Sequence, residues 1–126
     1  MVKNIKNKKI LIAEDEEPML QALIETFKNE NFDVFSARDG EEGLKIALKE
    51  HPHLLLIDII MPKMDGFTML KEIRKDEWGK NVPVIILSNL SDVERIKEIK
   101  EECSCDYLIK TECKLDDLVK KVKKII

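Results

Sequence analysis

Five short apolar runs alternate with five longer stretches whose apolar residues recur at helical spacing, and this alternation restricts the chain to very few folds. The runs are Lys9 to Ala13, Phe32 to Ala37, His53 to Asp58, Pro83 to Leu87 and Tyr107 to Ile109. They have the length and near-continuous apolarity of buried strands, and Pro83 stands at the first strand position, where proline is tolerated. Between them, Pro18 starts a helix with the stripe Met19, Leu20, Leu23, Ile24 and Phe27. Asp39 caps a second, carrying Leu44, Ala47 and Leu48, which stops near His51-Pro52 because the residue before proline disfavours helix. Gly66 to Lys75 turns Phe67, Leu70 and Ile73 inward, with Trp78-Gly79 closing it. Ser91-Asp92 caps a helix of narrow stripe, Val93, Ile96 and Ile99. Leu115, Leu118, Val119, Val122 and Ile125 form the last.

Strands apolar on both faces and joined by amphipathic helices make a parallel sheet with helices on each side. Right-handed crossovers leave few topologies, and the expected fold is α/β: a doubly wound, flavodoxin-like sheet of five strands in the order 2-1-3-4-5. A length of 126 residues suits one domain, expected to span residues 1–126.

Composition excludes several function classes. With 22 basic and 25 acidic side chains spread along the chain, a net charge of −3 argues against a nucleic-acid surface and for protein or small phosphorylated partners. Cys103, Cys105 and Cys113 are odd in number and lack the paired spacing of a zinc site, so ordinary reduced thiols and a cytoplasmic location are expected. No apolar stretch approaches the ~20 residues of a membrane span, and Met1-Val2-Lys3-Asn4 leads into charge rather than a signal-peptide core.

The strand ends carry the chemistry. The first run ends at Glu14-Asp15, the third at Asp58, the fourth at Ser88 and the fifth at Lys110, so the carboxyl edge of the sheet gathers three acids, a hydroxyl and an ammonium. Open α/β sheets bind ligands at that edge. Three carboxylates can share a pocket only if a cation or protons offset their repulsion. Oxygen-only ligands favour a hard cation, and Mg2+ fits better than Zn2+. The expected ligands are Asp15 and Asp58 directly, the backbone carbonyl near Ile60, and Glu14 directly or through water. Ser88, Lys110 and a divalent cation around one carboxylate suit in-line phosphoryl transfer, with Asp58 as nucleophile.

Nearly the whole chain resembles the receiver domain of two-component response regulators. The resemblance is carried by Glu14-Asp15, by Leu55-Leu56-Ile57-Asp58 with Met61-Pro62 and Met64-Asp65-Gly66, by Ser88, and by Asp106-Tyr107-Leu108-Ile109-Lys110. It implies a histidine kinase or phosphotransfer protein as phosphodonor, Mg2+ as cofactor, and an output face on the fourth helix, fifth strand and fifth helix, with a homodimer on phosphorylation as one readout. Ser88 and Tyr107 take the switch roles, the hydroxyl moving toward the phosphate and the aromatic turning inward. Such a domain is a self-phosphorylating switch rather than a turnover enzyme.

The chain departs from the family pattern in three places. Thr111 follows the lysine where proline in a cis peptide is usual, so a trans or remodelled Lys110-Thr111 link is expected. Asn89 replaces the usual small residue after the hydroxyl and is expected to narrow access to Asp58. Glu102-Cys103-Ser104-Cys105 offers no glycine for a left-handed helix end, so the fourth helix is expected to end differently. These departures support one alternative, a degenerate receiver that binds its partner without phosphorylation. Another, a Mg2+-dependent phosphatase, wants a second acid two residues after the nucleophile, and Ile60 stands there. His51 and His53 are expected to be surface positions flanking Pro52 rather than a relay or metal pair.

Overall fold

A computed structural model describes residues 7–126; the expectation for Met1 to Asn4 falls outside the described residues. Five parallel strands, β1 (Lys9–Ala13), β2 (Asp33–Ala37), β3 (Leu54–Ile57), β4 (Val84–Ser88) and β5 (Asp106–Ile109), form one sheet in the order β2-β1-β3-β4-β5. Five helices follow them in alternation: α1 (Glu17–Asn29), α2 (Gly40–Glu50), α3 (Gly66–Lys75), α4 (Val93–Cys103) and α5 (Leu115–Ile125). The expected doubly wound, flavodoxin-like architecture is thus the one observed.

Side chains alternate across a strand, and here both faces are apolar. Leu11, Leu55, Ile57, Val84 and Ile86 pack under α2, α3 and α4 through Ala47, Met69, Leu70, Ile73 and Ile99. Ile10, Ile12, Leu54, Leu56, Ile85 and Leu87 meet α1 and α5 through Leu20, Leu23, Phe27, Leu118 and Val122. Each fully buried Leu or Ile contributes on the order of 2 kcal/mol of transfer free energy, so this two-sided core dominates the stabilisation.

Three helices start on carboxylate caps. Asp39 accepts from the Glu42 N–H at 2.8 Å, Asp65 from the Thr68 N–H at 2.8 Å, and Asp92 from the N–H groups of Glu94 and Arg95. Each such cap is worth about 1 kcal/mol.

Two helix stripes differ from expectation. Leu48 is exposed, and α2 instead buries its small residues Gly40, Gly43 and Ala47, which lets the helix approach the loop beyond β3 closely. A Cβ on Gly40 would lie 2.0 Å from the Met64 carbonyl oxygen. Val93 is exposed while Ile99 is fully buried. At about 100° per residue, Val93 lies about 120° around the helix from Ile99, outside the inward face.

The end of α4 also corrects the expectation. Ser104 takes the left-handed conformation, φ 50°, although it is not glycine. Arg74 offsets the strain of about 1–2 kcal/mol. Its guanidinium, on α3, donates to the carbonyls of Cys103, Ser104, Gly79 and Val82 at 2.7–3.0 Å. α3 ends at Lys75, and Trp78–Lys80 forms a separate 3₁₀ turn. Among the described residues no peptide bond is cis, so Lys110-Thr111 is trans and opens a short 3₁₀ turn, Lys110–Glu112.

Candidate functional site

Register places the strand-end residues side by side. Ala13 pairs with Ile57, so the next residues, Glu14 and Asp58, leave adjacent strands together, and the Asp58 N–H still donates to the Ala13 carbonyl at 2.9 Å. Ser88 pairs with Ile109, which brings Lys110 to the same edge. Gly66 lets the following loop close over the acceptor strand: a Cβ there would lie 2.0 Å from the Asp58 carbonyl oxygen.

Lys110 sits at the centre. Its Nζ lies 2.5 Å from Glu14 Oε1, 2.8 Å from Asp58 Oδ2 and 3.1 Å from Glu16 Oε1. Glu14 and Asp58 are buried, at 2% and 5% exposure. Asp58 is covered by polar groups, since its other oxygen accepts from the Ile60 N–H at 3.2 Å. Burial lifts Glu14 to about 7, with the neighbouring Asp58 adding to the rise and the Lys110 bond opposing it. For Lys110 burial pulls downward, yet its bonds to Asp58, Glu14 and Glu16 outweigh burial and leave the ammonium pKa raised.

Asp15 was expected in this group, and Glu16 was not. The structure gathers Glu14, Glu16 and Asp58, whose oxygens lie within 4.8 Å of one another, and leaves Asp15 exposed. Glu14, Asp15 and Glu16 all lie beyond the end of β1, where the Glu16 N–H turns back to Glu14 Oε2 at 3.2 Å.

Ser88 is fully buried, its Oγ accepting from the Leu90 N–H at 3.4 Å. Tyr107 is half-buried and turned inward: its hydroxyl donates to the Leu90 carbonyl at 2.7 Å and neighbours Ser88. Ile60 is 63% exposed beside the acceptor. The histidines are elsewhere, His53 Nδ1 accepting from the Lys9 N–H at 2.9 Å and His51 stacked on Trp78. Cys103 is buried, and burial lifts the Cys105 thiol to about 11, which favours its protonated form.

Residues 10–123 match the response regulator receiver domain family. The chain belongs to that family. Its receiver fold has solved counterparts: it is 34% identical to a Francisella response regulator receiver domain, with a TM-score of 0.85 over 94% of this chain and 96% of that one. The chemotaxis protein CheY4 of Vibrio cholerae superimposes with a TM-score of 0.86 at 25% identity, over 95% and 99% of the two chains. Sporulation initiation phosphotransferase F of Bacillus subtilis is 33% identical over 95% of this receiver and 94% of its own length. A probable transcriptional regulator, ycf27, of Porphyridium aerugineum is 40% identical over 84% of this chain, which spans 43% of that longer protein. Among the described residues no helix is long and apolar enough to cross a membrane.

The donor set of this receiver fits a hard divalent cation. Carboxylate oxygens of Glu14, Glu16 and Asp58 lie within 4.8 Å of one another, among the described residues no sulfur or imidazole joins them, and one ammonium faces three acids.

Proposed function

We propose that this receiver accepts a phosphoryl group on Asp58, from a histidine kinase or phosphotransfer protein, and passes the signal by changing a protein-binding face. The observation that carries the reading is the Lys110 ammonium 2.8 Å from Asp58 Oδ2 in a pocket of carboxylates. A carboxylate held against a buried cation is a nucleophile whose product charge is already provided for.

In the proposed step an Asp58 oxygen attacks the phosphorus of a phosphohistidine. The P–N bond breaks, its electron pair stays with the imidazole nitrogen, which takes up a proton, and an acyl phosphate forms. Lys110 then turns a donor to a phosphoryl oxygen, and the Ser88 hydroxyl donates to another. The Ile60 N–H, already 3.2 Å from Asp58 Oδ1, orients the carboxylate. Glu14, Asp58 and the main-chain carbonyl of Ile60, together with the exposed Asp15 that follows Glu14, would hold Mg2+, which leaves Glu16 to Lys110. When bound, that ion neutralises phosphoryl charge during transfer.

The switch is proposed to run from Ser88 to Tyr107. Drawing the Ser88 hydroxyl toward phosphate alters the space beside the Tyr107 ring, and the Tyr107–Leu90 bond ties that ring to the loop before α4. Only contacts that differ between two states shift their populations. A ~100:1 change needs about 2.7 kcal/mol, the size of one or two charge-assisted hydrogen bonds. The output face would be α4, β5 and α5, with a homodimer as one readout, in a cytoplasmic switch that is not a turnover enzyme.

A structure with Mg2+ and beryllofluoride tests this reading. It is expected to show beryllium on an Asp58 oxygen, with Lys110 and Ser88 bonded to fluoride. An unmodified Asp58 still paired with Lys110 under saturating reagent would favour an unphosphorylated interaction module instead.

A further inference from the structure

An ammonium has three N–H donors. For Lys110 each of them faces a carboxylate, and the three partners are unequal. Glu14 and Asp58 have side chains 2% and 5% exposed, so neither can exchange the lysine for water without leaving the pocket. The Glu16 side chain is 62% exposed and makes the longest contact, 3.1 Å. Glu16 also forgoes its local alternative. It immediately precedes α1, where a carboxylate ordinarily accepts from the first amides of its own helix, yet it makes no such bond. Its carboxylate reaches across to residue 110 instead, while its own N–H donates to Glu14 Oε2 at 3.2 Å.

We propose that Glu16 is a positioning residue: a displaceable partner that occupies the third donor of Lys110 until a phosphoryl oxygen takes it. The inference rests on the phosphoryl-acceptor reading above and adds the group that the incoming phosphoryl must displace. With three donors engaged, Lys110 can bond a new oxygen only by releasing an old one. Glu14 has no solvent to move into, and Asp58 carries the phosphoryl group itself. Glu16 has water on its open side, so its release costs least. The exchange makes Glu16 a competitor of the phosphoryl group, and removing its charge strengthens binding of a phosphoryl analogue.

Calorimetric titration with beryllofluoride in excess Mg2+ tests this on the wild type, Glu16→Gln, Glu16→Asp and Glu17→Gln. An exposed ion pair is worth about 0.2–1 kcal/mol, so Glu16→Gln is expected to bind about 1.4- to fivefold more tightly. Glu16→Asp keeps the charge on a shorter arm; it too binds more tightly if the effect runs through reach to Lys110, and matches wild type if it is simple repulsion. Glu17→Gln, whose residue pairs with Arg38 away from the pocket, leaves the affinity unchanged. In the protein without analogue, the Lys110 ammonium hydrogens seen by nitrogen-15 NMR exchange faster with water in Glu16→Gln than in wild type.

Equal or weaker analogue binding by Glu16→Gln, wild-type behaviour of Glu16→Asp, or an unchanged Lys110 signal would each overturn the proposal. Wild type that binds no beryllofluoride at all would instead defeat the phosphoryl-acceptor reading, and the Lys110 exchange rate would still decide whether Glu16 holds the lysine.

Discussion

Lys110 Nζ stands 2.8 Å from Asp58 Oδ2, although the two residues are 52 positions apart in the chain. Strand order makes the contact: Asp58 follows β3, Lys110 follows β5, and β4 between them ends in the fully buried Ser88. The pocket therefore exists because the sheet is parallel and its strands end in register, and its charge balance should be measurable.

Glu14 gives the first prediction. Its carboxyl ordinarily titrates near 4.5 and is raised to about 7 in the fold by burial. Between those values the folded state keeps a proton that the unfolded state has lost, so stability falls as pH rises from 4.5 to about 7 and levels off above. The fall should be about 2–3 kcal/mol. Urea denaturation of Glu14→Gln should show a flatter pH profile and greater stability than wild type near neutral pH. An unchanged profile would mean that another group sets the slope.

Divalent cations should act on the same acids. At ten times its Kd, Mg2+ should stabilise the fold by about 1.4 kcal/mol, and by less at acid pH, where a proton on Glu14 competes. Thermal melts with and without Mg2+ check this, and the increment should shrink in Asp58→Asn.

Arg74 should matter through the backbone it satisfies. Arg74→Leu leaves the carbonyls of Gly79, Val82, Cys103 and Ser104 without their donor. The expected loss is about 3 kcal/mol by chemical denaturation, with faster amide exchange concentrated at the end of α4.

Gly66→Ala would drive a Cβ toward the Asp58 carbonyl, 2.0 Å away, and toward Ile57 Cγ2, 2.7 Å away. The loop must shift where the acceptor's own backbone lies. A loss of about 2–3 kcal/mol in stability is expected, together with slower phosphorylation of a protein that still folds.

Much of this was legible in the residues and some was not. The strands and their order followed from apolar runs such as Leu54 to Ile57, which are buried on both faces and admit few arrangements. Asp58, Ser88 and Lys110 stood out because each ends such a run. Stripe phase was harder: Val93 and Leu48 look inward on apolarity alone, but helix rotation and the close packing of small residues turn them out. The role of Arg74 depends on carbonyls as far as 30 residues away, and no local pattern marks it. Glu16 was hidden within four consecutive acids, Glu14 to Glu17, which lie beyond the end of β1 and follow no strand or helix period. Ser104 shows that a missing glycine does not forbid a left-handed helix end when another side chain satisfies the carbonyls exposed there.

Whether Asp58 takes a phosphoryl group in this pocket is settled by incubation with Mg2+ and a small phosphodonor, followed by intact-mass measurement. Wild type should gain one phosphoryl group, reversed by hydroxylamine and absent from Asp58→Asn. No gain in wild type, or the same gain in Asp58→Asn, would contradict the phosphoryl-acceptor reading.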